Sequence, residues 1–145
     1  MIWITDNVWY KYEGQFDELY LMTGEGHREN ENGETYNGQI VKDKGHGKGK
    51  ATWPDGGSYR GDFNQGNMHG IGTYYWPFGN RYEGQWHDNN IHGIGRYTFQ
   101  NGVYEQGRWD NQMRVGVHRR YSIEGKLLEK LTYEQGKEVK IEKAE

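Results

Sequence analysis

The sequence predicts an all-β protein, a single-layer twisted antiparallel sheet made of repeated β-hairpins. Three observations predict it: one motif returns every 23 residues, polar and apolar residues alternate within the motif, and turn-forming residues separate the alternating segments. A fixed period of this length indicates stacked repeats, each of them one supersecondary unit. Alternation with a period of two indicates strands, and no segment has the spacing of an amphipathic helix over two turns.

The motif is Tyr-x-Gly-x-aromatic, a polar loop ending in His-Gly, then Gly-x-aromatic. Its frame residues, each 23 residues after the last, are Gly38, Gly61, Gly84 and Gly107, and the histidines His46, His69 and His92. Glycine is costly in backbone entropy, so periodic glycine indicates a geometric requirement rather than filler. We therefore expect structural roles for these glycines and histidines.

Within a unit, alternate residues of a strand share a face. One face is expected to hold Tyr59, Gly61 and Phe63 from the first strand and Gly72, Tyr74 and Trp76 from the returning strand. The other face is more polar, with Arg60, Asp62, Ile71, Thr73 and Tyr75. Rings are expected to lie over glycines, where the absence of a Cβ leaves room for them.

Turn signals fall between the predicted strands. Asp43, Gly66 and Asn89 each stand five residues after a frame glycine, and all three residue types tolerate a left-handed backbone. Between units, Asp55-Gly56 and Asn101-Gly102 predict two-residue hairpin turns.

The repeat array is predicted over residues 1–125, with a half-repeat cap at 1–11 and units beginning at 12, 36, 59, 82 and 105. The cap should form two short strands around the turn Thr5-Asp6-Asn7. In the first unit, which is degenerate, the acidic segment Glu25–Glu34 is expected to be a solvated connection. Residues 126–145 are compatible with strand or a short helix, and we favour a closing hairpin followed by a loose tail.

Composition narrows the classes of function. The chain has no Cys, which excludes disulfides and thiolate sites and fits an intracellular, cytoplasmic protein. Its 18 basic and 21 acidic residues give a net charge of −3, with no basic stripe of the kind that binds nucleic acid. No apolar run approaches the length needed to span a membrane.

No residue pattern predicts catalysis, a metal site or a cofactor. Ser58 and Ser122 lack a nucleophile motif, and Gly45–Lys50 lacks the spacing of a phosphate-binding loop. Equivalent histidines in neighbouring units should stand about 10 Å apart, two strand spacings, which is too far to share one metal ion. We expect a non-catalytic protein.

The segments YRGDF…HGIGTYYW at Tyr59–Trp76 and YEGQW…HGIGRYTF at Tyr82–Phe99 resemble the MORN repeat. The resemblance extends from about residue 12 to 125. It implies an extended sheet of hairpins in non-catalytic roles, such as scaffolds of cilia and cytoskeletal assemblies. It also implies an aromatic groove that holds a segment of a partner protein. The matching positions are Tyr59, Phe63, Tyr74, Trp76, Tyr82, Trp86, Tyr97 and Phe99.

Two functions remain open at this point. The first is a scaffold or adaptor subunit, in a ciliary, radial-spoke-like or cytoskeletal assembly by the resemblance, that binds protein partners through the groove. Its open sheet edges would also allow self-association. The second is a membrane-surface protein that recognises anionic phospholipids, for which Lys42, Lys44, Lys48 and Lys50 are the nearest basic cluster and Arg119-Arg120 a weaker one.

Overall fold

The computed structural model describes residues 2–5 and 8–145, with side chains from Tyr10 onward. The strands are β1 (Ile2–Thr5), β2 (Val8–Phe16), β3 (Met22–Asn30), β4 (Thr35–Val41), β5 (Lys44–Thr52), β6 (Ser58–Asn64), β7 (Asn67–Tyr75), β8 (Arg81–His87), β9 (Asn90–Thr98), β10 (Tyr104–Asp110), β11 (Met113–Tyr121), β12 (Leu127–Glu134) and β13 (Lys137–Lys143). The described ranges contain no helix, and therefore none that could span a membrane. The predicted all-β class is confirmed. Asp6 and Asn7 of the predicted first turn lie outside the described residues.

The strands form one sheet in which their spatial order is their order along the chain. Every neighbouring pair is antiparallel, from β1 at one edge to β13 at the other. Sequential antiparallel pairing needs only short connections, because each strand turns back beside its predecessor. The single-layer antiparallel sheet expected from the sequence is confirmed.

The register aligns equivalent positions of successive units into rows that cross the sheet. One such row takes one glycine from each of strands β2 to β10, every one paired with the next: Gly14, Gly26, Gly38, Gly49, Gly61, Gly72, Gly84, Gly95 and Gly107. Residues paired directly across antiparallel strands lie on the same face. The row therefore leaves a strip of bare backbone on the face where the rings lie.

The core is a chain of rings over this glycine row. Tyr82 shows the repeated arrangement: its ring packs on Gly84 and Gly95, and its hydroxyl donates a hydrogen bond to the Gln85 carbonyl at 3.2 Å. Neighbouring rings then meet edge to face, at centroid distances of 5.0–5.6 Å and interplanar angles of 71–88°. We call this set the ring ladder; its members in order are Tyr36, Phe63, Tyr59, Trp86, Tyr82, Trp109, His118 and Tyr133.

Turns within units follow the sequence prediction. Asp88 and Asn89 both have positive φ, at 44° and 67°, as a two-residue type I′ turn requires. The equivalent turns at Lys42-Asp43 and Asn111-Gln112 have positive φ at both residues as well.

Turns between units differ from the prediction of two-residue turns, which is wrong. The Gly56 amide donates to the Trp53 carbonyl at 3.0 Å, and the Trp53 amide donates to the Gly57 carbonyl at 2.9 Å. This is a three-residue loop, Pro54-Asp55-Gly56, in which Gly56 alone has positive φ, at 94°. The same pattern closes on Phe99, Gly102 and Val103.

The acidic segment Glu25–Glu34 is also corrected, because most of it is strand. Strand β3 runs from Met22 to Asn30, and only the end of the segment is a turn. Gly26 keeps its place in the glycine row, and Arg28 lies 5.3 Å from the centroids of both the Tyr10 and Tyr36 rings. These contacts hold the segment in the sheet although its acidic residues suggested a loop.

Candidate interaction surface

A second set of rings lies on the ring-ladder face and is only half-buried. Successive centroids in this set are 4.8–5.4 Å apart, with tilted or edge-to-face planes. We call it the outer aromatic row; its members are Trp53, Tyr74, Trp76, Tyr97 and Phe99. Tyr74 and Tyr97 also touch the ring ladder, at 6.0 Å from Trp86 and 6.2 Å from Trp109. The outer aromatic row thus packs against the ring ladder on the same face of the sheet. No described residues form a second layer that covers it.

The structure divides the eight groove positions expected from the sequence into two groups. Tyr59, Phe63, Tyr82 and Trp86 belong to the ring ladder, and their exposed fractions are 0 %, 6 %, 0 % and 5 %. They form the core and offer a partner almost no surface. Tyr74, Trp76, Tyr97 and Phe99 belong to the outer aromatic row and remain half-exposed. Alternation placed all eight on one face, but it did not show which of them the neighbouring units cover.

The frame glycines lie where cross-strand backbone or a ring approaches closely. A Cβ built on Gly84 would lie 2.6 Å from the Gly95 Cα and 2.7 Å from the Ile94 carbonyl oxygen. Gly38 and Gly61 face their cross-strand glycines in the same way, and Gly107 lies against the His118 ring. No larger residue fits at these positions without moving backbone or a core ring.

The frame histidines lie near the turns within units. His69 Nδ1 is 3.5 Å from Asp88 Oδ1, and His92 Nδ1 is 3.4 Å from Asp110 Oδ1, while His46 is exposed. His87 stands between two of them, its ring centroid 5.2 Å from that of His69 and 6.0 Å from that of His92. Within the part of the chain that the structure describes, no group of three or more His, Cys, Asp or Glu side chains is arranged to hold a metal ion.

The opposite, polar face presents basic and aliphatic side chains. Lys50 pairs in register with Arg60, and Ile71 and Ile94 are 65 % and 63 % exposed. Lys48 is already neutralised in part, because its Nζ lies 2.6 Å from Asp62 Oδ1.

The two arginines of the weaker basic cluster separate. Arg119 is exposed and pairs in register with Lys130. Arg120 instead forms ion pairs with the buried Glu105 at 2.6 Å and with Glu129 at 3.0 Å. Arg119-Arg120 therefore does not form one basic patch.

A cavity opens on the ring-ladder face in the unit that begins at residue 36. A cavity of about 160 Å³ is lined there by Arg28, Tyr36, Gly45, Ala51, Trp53 and Phe63, among others. Ala51 stands where Tyr74 and Tyr97 stand in the next two units, and Gly45 where Met68 and Ile91 stand. This cavity was not predicted, although two small residues at the positions of large ones were a signal of it in the sequence.

Comparison with known families agrees with the period found above. The sequence profile of the MORN repeat matches residues 36–58, 59–81 and 82–104, each a single hairpin of the sheet with its following turn. No curated protein matches the chain in a sequence comparison. Three adjoining matches, in the frame that the glycine row and ring ladder define, show that residues 36–104 of the chain are MORN repeats.

Proposed function

We propose that the chain is a non-catalytic scaffold or adaptor subunit that binds protein partners through the outer aromatic row. MORN repeats are interaction modules for proteins or membrane lipids. The observation that supports a protein partner most directly is the row itself: five half-buried rings, regularly spaced and without a covering layer among the described residues. Contiguous apolar side chains that stay accessible to solvent mark interaction sites.

The physical setting of the row favours tight binding. Trp and Tyr are the commonest energetic anchors of protein interfaces. Here Tyr74 and Tyr97 are held between ring-ladder and outer-row neighbours, so their rotamers are largely fixed before binding. A partner then loses little free energy in ordering them.

The assembly and compartment are proposed from the family resemblance. We propose a ciliary, radial-spoke-like or cytoskeletal assembly in the cytoplasm. The free edges at β1 and β13 would additionally permit pairing with a second copy or with a neighbouring subunit.

The test replaces two rings of the outer row, Trp76→Ser with Phe99→Ser, and records neighbours by cross-linking mass spectrometry in native extract. Neither ring belongs to the ring ladder, so the fold should survive, as circular dichroism would check. The matched control is Ile71→Ser with Ile94→Ser on the polar face. We expect the first pair to lose the cross-linked partners and the second to keep them. A partner set that is unchanged in the folded Trp76/Phe99 variant contradicts the proposal.

A second candidate function, recognition of anionic phospholipids, is supported by the polar face. Lys50 and Arg60 stand side by side there, with the exposed Ile71 nearby in the same sheet. Basic residues near a membrane surface each add about 1 kcal/mol of attraction to anionic lipid. Sedimentation with phosphatidylserine and phosphoinositide vesicles, at low and at physiological salt, tests this candidate. The double variant Lys50→Gln with Arg60→Gln is compared with the wild type and should bind the vesicles more weakly. Absence of binding at both salt concentrations would end this candidate.

A further inference from the structure

The cavity beside Ala51 results from two substitutions that coincide in one unit. In the unit that begins at residue 36, Ala51 stands at the position of Tyr74 and Tyr97, and Gly45 stands at the position of Met68 and Ile91. Both small residues line the cavity, so it is the space that a tyrosine ring and a long aliphatic side chain fill elsewhere. The neighbouring rings do not close it, because Tyr36 and Phe63 are fixed edge to face at 5.0 Å in the ring ladder.

A cation that forms no ion pair with any described residue lines the same cavity. Arg28 lies in its wall, its guanidinium packed against the Tyr10 and Tyr36 rings, and donates a hydrogen bond to the Asp43 carbonyl. Arg120 stands at the equivalent position of the unit that begins at residue 105, and it is paired with Glu105 and Glu129. Arg28 makes no ion pair with any described residue. The same residue at an equivalent position is thus neutralised at one end of the array and left open at the other.

We propose that this cavity binds one aromatic side chain of a protein partner, and that an acidic residue next to it pairs with Arg28. The inference rests on the proposed function and adds the chemistry of the partner segment. A cavity of about 150 Å³ lined by apolar side chains is large enough for benzene, so about 160 Å³ accommodates one ring. Its walls offer the rings of Tyr36, Trp53 and Phe63, against which a further ring packs edge to face or offset.

The rim of the cavity contains one acidic residue of the chain itself. Glu34 is exposed, and its Oε2 accepts a hydrogen bond from Asn30 Nδ2 at 2.7 Å. It forms no ion pair with Arg28, but it repels a partner carboxylate that approaches the same rim. Arg28 is half-buried and Glu34 is not, so the arginine should dominate, since less buried charges are screened more strongly. Removing the Glu34 charge should strengthen binding.

The experiment selects peptides from a phage-displayed random library on the full chain and measures the best synthetic peptide by fluorescence anisotropy. We expect the selected peptides to share an aromatic residue beside Asp or Glu. Ala51→Tyr restores the residue found at Tyr74 and Tyr97 and fills the cavity, while Arg28→Gln removes the charge. Each should weaken binding at least tenfold, the range of a lost charged hydrogen bond or a lost ring contact. Changing the aromatic residue to Ala or the acid to its amide in the peptide should do the same.

Three further variants separate the outcomes. Arg60→Gln, a cation on the polar face, should leave the affinity unchanged, and Glu34→Gln should equal or exceed the wild type. Ala51→Leu is a smaller filler, used if Ala51→Tyr disturbs the circular dichroism spectrum. If the peptide binds the filled and Arg28→Gln variants as it binds the wild type but is lost from Trp76→Ser with Phe99→Ser, this inference is wrong and the proposed function stands. If no peptide is enriched on the wild type, both are overturned.

Discussion

His118 Nε2 lies 2.8 Å from the carbonyl oxygen of Arg108, the contact that the Tyr82 hydroxyl makes with Gln85 one unit earlier. The ring that makes it comes from the other strand of the hairpin. His118 stands in the position of Gly95, while Glu105 stands in the position of Tyr82. The last MORN-like unit therefore keeps a ring over its frame glycine, Gly107, by exchanging which strand supplies it. The exchange frees the tyrosine position for a buried carboxylate.

The first prediction concerns that carboxylate. Glu105 is 1 % exposed and accepts from Arg114 Nε at 2.8 Å and from Arg120 Nη2 at 2.6 Å. Glu105→Gln leaves two half-buried guanidinium groups with a weaker partner, and we expect a loss of about 3 kcal/mol in the free energy of unfolding. Urea denaturation measures it.

The matched control is Glu129→Gln. Its carboxylate binds the same Arg120 at 3.0 Å but is 24 % exposed, and Arg120 keeps Glu105 when it is removed. The loss should be below about 1 kcal/mol. Equal effects of the two variants would show that burial does not set the strength of these pairs.

The second prediction is an acid-dependent loss of stability through His118. A carbonyl oxygen can only accept, so neutral His118 is protonated on Nε2, and its buried Nδ1 has no hydrogen-bond partner among the described residues. Burial lowers the pKa of His118 below its ordinary value of 6.5, aided by Arg114 and opposed by the Arg108 carbonyl and Glu105. The unfolded chain therefore takes up a proton below about pH 6.5 that the folded protein does not. Stability present above that pH is lost as the pH falls, with a slope of at most about 1.4 kcal/mol per pH unit.

The comparison uses His118→Gln, whose side-chain amide can still donate to Arg108 but does not titrate. The variant is expected to be less stable at neutral pH and to have a flatter dependence between pH 7.5 and 5.5. His46→Asn, at an exposed position, should retain the wild-type slope. A slope that persists in His118→Gln would assign the acid sensitivity to other groups.

Much of the fold could be predicted because the repeat makes each unit evidence for the others. Gly61 and Gly84 occupy the same place in successive units, so one register explains both, and the antiparallel meander follows from short turns such as Asp88-Asn89. The alternation of polar and apolar residues assigned the faces correctly. It could not rank burial within a face, since Trp86 and Trp76 share a face and each lies between two tyrosine rings. Only the tyrosines beside Trp86 are themselves fully buried.

The parts that sequence reasoning missed are places where one residue type substitutes for another of different chemistry. Arg28 keeps strand β3 in the sheet by packing its guanidinium on rings, which the hydrophobic pattern does not record. The exchange of Tyr and Gly for Glu105 and His118 involves two strands at once, so neither position alone reveals it. Gly45 and Ala51 are each visible as small residues in the sequence, but only the fold shows that they line one cavity.

The third prediction is alkaline unfolding driven by the ring-ladder tyrosines. Burial raises the pKa of Tyr36 to about 12, and it raises the pKa of Tyr59 and Tyr82 as well. Between pH 10 and these raised values the unfolded chain has lost phenolic protons that the folded protein keeps, so stability is full below pH 10 and falls above it. The tyrosinate absorbance of these three buried rings should appear together with the change in circular dichroism, in one cooperative step. Gradual ionisation of all twelve tyrosines with the fold intact would contradict it.

The fourth prediction contrasts two glycines. Gly84→Ala places a methyl group 2.6 Å from the Gly95 Cα and 2.6 Å from the Tyr82 hydroxyl oxygen, and cross-strand backbone cannot move aside without breaking the ladder of hydrogen bonds. We expect a loss of about 3 kcal/mol, the upper range of overpacking costs. Gly116→Ala has no atom within 4 Å of the new Cβ, but φ is 68°, so only the strain of a left-handed residue remains, about 1 kcal/mol. Urea denaturation of both variants measures the difference. If Gly116→Ala were the more damaging change, backbone conformation rather than close approach of strands would be the reason this chain repeats glycine every 23 residues.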